Sequence, residues 1–147
     1  MSVNESFTIN KLFDVTNWTC IVTGGATGIG LMIAQAFANN GARVYITGRR
    51  QDALDTAVKT WGSSLAHPQG KLIGVTADIT DKASLENLAK EVGKHEKHVD
   101  ILVNNAGVSL GTSTVEKGNE SARELQKELW SESQADWEAV YRTNVIG

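Results

Sequence analysis

Four of the eight residues from Thr23 to Gly30 (Thr-Gly-Gly-Ala-Thr-Gly-Ile-Gly) are glycine, and their spacing points to phosphate binding. Gly24 permits a sharp turn, Gly28 lets the backbone approach a pyrophosphate with no side chain between, and Gly30 lets a following helix pack closely. Free N–H groups and the helix dipole then attract the phosphates, with Thr23, Thr27 and Ile29 completing the cradle. The bland alternative is a structural turn without a ligand, because glycine-rich turns are common punctuation. Here an apolar run precedes the turn and a helical pattern follows it, which is the context that the motif requires.

A second group is Thr47-Gly48-Arg49-Arg50. Sites that select an unmodified ribose place a carboxylate at the end of the second strand, where it holds the 2′-hydroxyl. That position reads here as Thr47, and the nearest acid, Asp52, lies beyond the turn. An arginine can pair with a 2′-phosphate through parallel N–H donors. The expected cofactor is therefore NADP(H) in preference to NAD(H), with Arg49 as the main contact. The alternative is that both arginines are solvated turn residues.

The elements that would position these groups follow from hydrophobic periodicity. Strands are expected at Thr19–Thr23, 43–47, Lys71–Thr76 and 100–104. Helices are expected at 28–40 with Gly41 as the stop, at Gln51–Trp61 with Leu54, Ala57, Val58 and Trp61 inward, and from a Thr80 cap to about Gly93 with Leu85, Leu88, Ala89 and Val92 inward. Strand–helix alternation with continuous apolar strands argues for an α/β, Rossmann-like doubly wound parallel sheet. Right-handed crossovers give the order 3-2-1-4, the first part of such a sheet. Residues 121–130 read as an exposed amphipathic helix with Leu125 and Leu129 on one side, and Asp136 opens another helix. Residues 1–17 read as an N-terminal extension and 18–147 as one dinucleotide-binding domain.

The spacing Thr-Gly-x-x-x-Gly-x-Gly differs from the more widespread Gly-x-Gly-x-x-Gly and resembles the short-chain dehydrogenase/reductase family. Asp78-Ile79 after the third strand is similar to that family's adenine-contacting pair, although Asp78 also suits a turn or helix cap. Asn104-Asn105-Ala106-Gly107 is similar to its Asn-Asn-Ala-Gly motif, and Trp137 with Asn144-Val145-x-Gly147 to the segment holding its catalytic asparagine. The resemblance implies that the asparagine side chains of Asn104 and Asn105 brace the strand against its neighbours, while the small Ala106 and Gly107 leave room for ribose and nicotinamide. It implies that Asn144 holds a water in a proton relay.

The same resemblance implies hydride transfer between nicotinamide and a small-molecule carbonyl or alcohol, with a Tyr-x-x-x-Lys pair moving the proton. That pair is absent. Tyr141 does not qualify, because the residue four on is Val145 and it lies in the wrong segment. The chain is therefore expected to be the cofactor-binding front part of an enzyme, truncated before the proton-transfer residues and inactive alone. The family implies a homo-oligomer for the intact protein. The runners-up are a catalytically inactive dinucleotide-binding module and an assembly subunit that uses the fold as scaffold. Residues 113–130 are longer than the family needs before Trp137 and suit either a lid over the substrate pocket or surface decoration.

Bulk properties exclude other classes. With 147 residues, 41% of them hydrophobic and 21% charged, the chain suits one globular domain. A net charge of −3 without a basic stripe argues against nucleic acid. No apolar run is long enough to cross a bilayer, and residues 1–10 lack the pattern of a secretory leader, so a cytoplasmic location is the default. Cys20, the single cysteine, reads as a buried strand residue. His95-Glu96-Lys97-His98 is one residue short of a zinc-protease helix and reads as a solvated helix end. His67 has no nearby ligand partners, so no metal is expected. Trp18, Trp61, Trp130 and Trp137 read as packing residues.

Overall fold

The computed structural model describes residues 4, 7–109, 121–131 and 133–147. These fall into two compact units, Met1–Ala106 and Gly107–Gly147. In the first unit a short helix α1 (Ile9–Leu12) comes first, and β1 (Thr19–Thr23), β2 (Arg43–Gly48), β3 (Lys71–Thr76) and β4 (Ile101–Val103) form one parallel sheet in the order β3-β2-β1-β4. This is the incomplete doubly wound arrangement expected from the sequence. Every residue of β1 is buried, which explains why its apolar run is continuous rather than alternating.

The connections decide which helix covers which face. α2 (Gly28–Asn39) and α3 (Gln51–Trp61) join neighbouring strands in one direction, and α4 (Lys82–Gly93) returns from β3 to β4 in the other. With right-handed crossovers, α4 must lie on the opposite face. The packing agrees. Cys20, Val22, Val44, Ile46 and Leu72 meet Ala34 and Ala38 of α2 and Leu54 and Ala57 of α3. Ile21, Tyr45 and Ala77 meet Leu88 and Val92 of α4. Alanines at i and i+4 let α2 lie close to the strands, and Gly41, at φ +95°, ends it as anticipated.

The structure corrects several details. α4 is capped by Asp81, whose side chain accepts from the Ala83 N–H, and not by Thr80. The Thr80 hydroxyl donates instead to the Asp78 carboxylate (2.8 Å). Leu85 and Ala89 are exposed rather than inward. Of α4 only Leu88 and Val92 are buried, and Leu102 of β4 is itself 58% exposed. The four tryptophans are not packed inside: Trp18, Trp61, Trp130 and Trp137 are 41–80% exposed. The interior beneath α2 and α3 is close-set, with Ala34, Ala38, Ala42 and Ala57 among its buried residues, and the indoles of Trp18 and Trp61 are not part of it.

The largest correction concerns Glu96, which is not a solvated helix-end residue. Its side chain is 6% exposed and ion-pairs with Arg43 at the start of β2. It also accepts from the Tyr45 hydroxyl (2.9 Å) and the Thr19 hydroxyl (3.2 Å). A buried carboxylate needs this many donors to remain ionised. The Arg43 guanidinium pulls the Glu96 carboxyl down to about 2, and burial pushes the Tyr45 hydroxyl up to about 12. His95 and His98 on either side remain exposed, as expected.

In the second unit, α5 (Ala122–Leu129) starts from a capping box in which Ser121 and Glu124 exchange hydrogen bonds. It is the expected amphipathic helix, with Leu125 half-buried and Leu129 exposed. α6 (Gln134–Tyr141) starts two residues before Asp136 because Ser133 caps it. One turn of π-helix, Arg142–Ile146, follows, and the Gly147 N–H donates to the Arg142 carbonyl (3.0 Å). Of the stretch read as lid or decoration, residues 113–120 lie outside the described residues. Among the described residues no helix is long and apolar enough to cross a membrane, and no group of three metal-ligating side chains occurs.

Candidate functional site

The glycine-rich turn leaves the end of β1 and enters α2 directly. Gly24 and Gly28 both have positive φ, +65° and +55°, a region that residues with a side chain enter only at a cost. At Gly28 an added Cβ would meet nothing within 4 Å, so the backbone there faces open space. The side chain of Thr27 makes no capping hydrogen bond. The first bond of α2 runs from the Leu31 N–H to the Thr27 carbonyl (3.2 Å). Helix geometry leaves the earlier N–H groups, those of Gly28, Ile29 and Gly30, without an acceptor in the helix. Donors, dipole and vacant volume thus coincide at one place, as an anionic ligand requires. The residues present fit a pyrophosphate: helix-start donors lie beside a position that carries no side chain.

The other glycines shape the turn. A Cβ on Gly30 would lie 2.3 Å from the Gly24 carbonyl oxygen and 2.5 Å from Asn105 Nδ2. Gly30 therefore admits the turn itself, not simply the sheet. Gly25, which the sequence pattern treats as a spacer, has no room either: its Cβ would sit 2.7 Å from Ile46 Cγ2.

Thr23 and Asn105 lock the turn to the end of β4. The Thr23 hydroxyl accepts from the N–H groups of Asn105 and Ala106 (both 3.0 Å). Asn105 Nδ2 donates to the Thr23 carbonyl (2.9 Å). The Asn105 amide is thus engaged in bracing, as the sequence reading held. Ala106 is half-buried, and its backbone leaves no room for a side chain at position 24: its Cα would be 2.9 Å from a Cβ on Gly24.

At the end of β2 the structure shifts an expectation by one residue. Thr47 is fully buried, and among the described residues its hydroxyl has no hydrogen-bond partner. Its side chain is closed off from solvent. The strand continues to Gly48, where an added Cβ would meet nothing within 4 Å. Arg49 and Arg50 follow, both exposed. Gly48 pairs with Thr76 in register, and the Gly48 carbonyl accepts from the Ala77 N–H (3.0 Å). Beyond that pair Asp78 is half-buried, and its Oδ1 accepts from both the N–H (2.9 Å) and the hydroxyl (2.8 Å) of Thr80. This Asx-type turn fixes the direction of the carboxylate. Ile79 beside it is also half-buried.

Gly107 and Asn144 belong to the second unit. Both ends of the Asn144 amide are bonded to one residue: Oδ1 accepts from the Val108 N–H (2.8 Å) and Nδ2 donates to the Val108 carbonyl (2.9 Å). Its side chain therefore ties the π-helical turn to the segment after Gly107.

Residues 19–147 match the family model for short chain dehydrogenase. A short-chain dehydrogenase/reductase of Diaporthe leptostromiformis, PhomF, is 35% identical over 98% of this chain and 47% of its own length. A rhamnolipids-biosynthesis 3-oxoacyl-acyl-carrier-protein reductase of Pseudomonas aeruginosa is 34% identical over 93% of this chain and 46% of its own. Among solved structures, a Pseudomonas aeruginosa RhlG/NADP active-site complex superposes with a TM-score of 0.72 at 32% identity, covering 91% of this chain and 44% of that one. The chain thus spans about half the length of the curated relatives it matches.

Proposed function

The chain belongs to the short-chain dehydrogenase family, and from that premise we propose that it is the cofactor-binding part of an NADP(H)-dependent oxidoreductase acting on a small-molecule carbonyl or alcohol. The observation that carries this is the open seat at Gly28, with the N–H groups at the start of α2 around it. Thr23, Gly24, Thr27, Gly28, Ile29 and Gly30 hold the pyrophosphate, and Arg49 pairs with the ribose 2′-phosphate. Asp78 and Ile79 meet the adenine, and Asn105, Ala106 and Gly107 flank the ribose and nicotinamide. Asn144 serves catalysis by holding its turn in place. When bound, the nicotinamide supplies the hydride chemistry. A cytoplasmic, homo-oligomeric intact protein completes the proposal.

Preference for the phosphorylated cofactor is supported by the side chains at the end of β2. Gly48 offers no carboxylate to hold a 2′-hydroxyl or repel a phosphate, and the exposed Arg49 is a cation without a competing acid beside it in sequence. Gly48, not Thr47, is the position to change. In the Gly48→Asp, Arg49→Leu double variant the ratio of NADPH to NADH affinity, measured by calorimetry, should fall at least tenfold, in keeping with the loss of a charge-assisted pair. An unchanged ratio would refute the assignment.

For the 147 residues alone, we expect cofactor binding without turnover.

A further inference from the structure

The turn that carries Arg49 and Arg50 is short, exposed and placed between two strand ends. Arg50 occupies the N-cap position of α3 yet makes no side-chain cap hydrogen bond. The first residue of α3 is held from outside instead. The Thr76 hydroxyl, at the last residue of β3, donates to Oε1 of Gln51. Gln51 Nε2 in turn donates to Asp55 Oδ1 (2.8 Å) one helical turn on, and that bond orients the amide so that its oxygen faces Thr76. On the other side of the arginines, the Gly48 carbonyl accepts from the Ala77 N–H. The two arginines are therefore bracketed by two ties to the same strand exit, one through backbone and one through Thr76–Gln51–Asp55. Thr76 is also the register partner of Gly48.

We propose that Thr76 and Gln51 are positioning residues for cofactor selection: they hold the start of α3 so that the Arg49 guanidinium is pre-set for a 2′-phosphate, an inference that rests on the NADP(H) reading above. A bidentate contact tolerates little displacement, and Arg49 lies only two residues before Gln51. The pair is solvent-exposed and belongs to neither buried cluster, so its loss opens no cavity in the core. Removing the Thr76 hydroxyl leaves Gln51 to water rather than burying an unpaired oxygen.

The test is equilibrium binding of NADPH and NADH to the full chain, with Thr76→Val, Thr76→Ser, Gln51→Leu and Arg49→Leu variants. Thr76→Val and Gln51→Leu should weaken NADPH about five- to tenfold, the scale of one hydrogen bond used in positioning. NADH should be unaffected, because it has no 2′-phosphate to be positioned against. Thr76→Ser, which keeps the donor, should restore NADPH affinity. A purely structural role would move both cofactors together, and that outcome, or no change in either, overturns the inference. If Arg49→Leu also leaves the NADPH to NADH ratio untouched, the cofactor reading itself has failed and the positioning role falls with it.

Discussion

Two missing β-carbons in the glycine turn do different work, and the difference can be measured. At Gly30 a methyl would press on the Gly24 carbonyl at 2.3 Å and on Asn105 Nδ2 at 2.5 Å, so the Thr23–Asn105 lock would have to open. Gly30→Ala should cost about 2–3 kcal/mol of stability, the range for forcing atoms into a filled space. At Gly28 nothing is in the way, and the cost of alanine is the left-handed backbone alone, about 1–2 kcal/mol. Gly28→Ala should therefore remain the better-folded variant in urea titration while losing more than tenfold in dinucleotide affinity. The reverse ranking of stabilities would contradict the geometry. The outline of this site was legible, since Thr-Gly-x-x-x-Gly-x-Gly names the turn and its helix. What Gly30 packs against was not, because Asn105 is distant in sequence. Nor was the need for Gly25, which depends on where Ile46 points. Thr47 was misplaced for a similar reason: one residue of register decides which side chain at a strand end is buried and which position is open.

At the scale of elements, apolar periodicity sufficed to locate the four strands and the helices between them, because burial writes itself into the residue pattern. It did not foresee the tie among β1, β2 and the loop after α4. Glu96 stands in a run of charges, His95-Glu96-Lys97-His98, that locally looks solvated. Only the parallel register that sets Thr19 beside Arg43 brings its three donors together. This tie should appear in the pH dependence of stability. The folded carboxyl lies at about 2 against an ordinary value of 4.5. A depressed carboxylate contributes fully above 4.5 and loses its contribution as pH falls toward 2, because the unfolded chain takes up the proton first. The contribution at neutral pH is of the order of 2–3 kcal/mol. Wild type and Glu96→Gln should differ by that order at pH 7 and converge between pH 4.5 and 2 in chemical-denaturation curves. A difference independent of pH over that window would mean that packing, not charge, holds the loop.

At the scale of the whole first unit, β1 contributes to the buried clusters on both faces of the sheet and leads into the ligand seat, and Cys20 can report on its opening. The thiol is fully buried in β1, and burial pushes it up to about 11, with the Asp100 charge adding to the effect. A thiol with so little thiolate, and with no path to reagent, should react only when the sheet opens. β1 also carries Thr23 at its end and leads into the glycine turn, so opening the strand dismantles the seat. Bound cofactor must then oppose opening by mass action, in proportion to 1 + [L]/Kd. Labelling of Cys20 by a neutral-pH thiol reagent should be slow in native buffer, rise with urea along the unfolding curve, and slow roughly 100-fold at a cofactor concentration of about 100 Kd. Fast labelling in native buffer would show that β1 opens locally, apart from the core. Slow labelling that ignores saturating cofactor would show that the seat survives the opening of β1, and the strand would then not be what joins binding to folding.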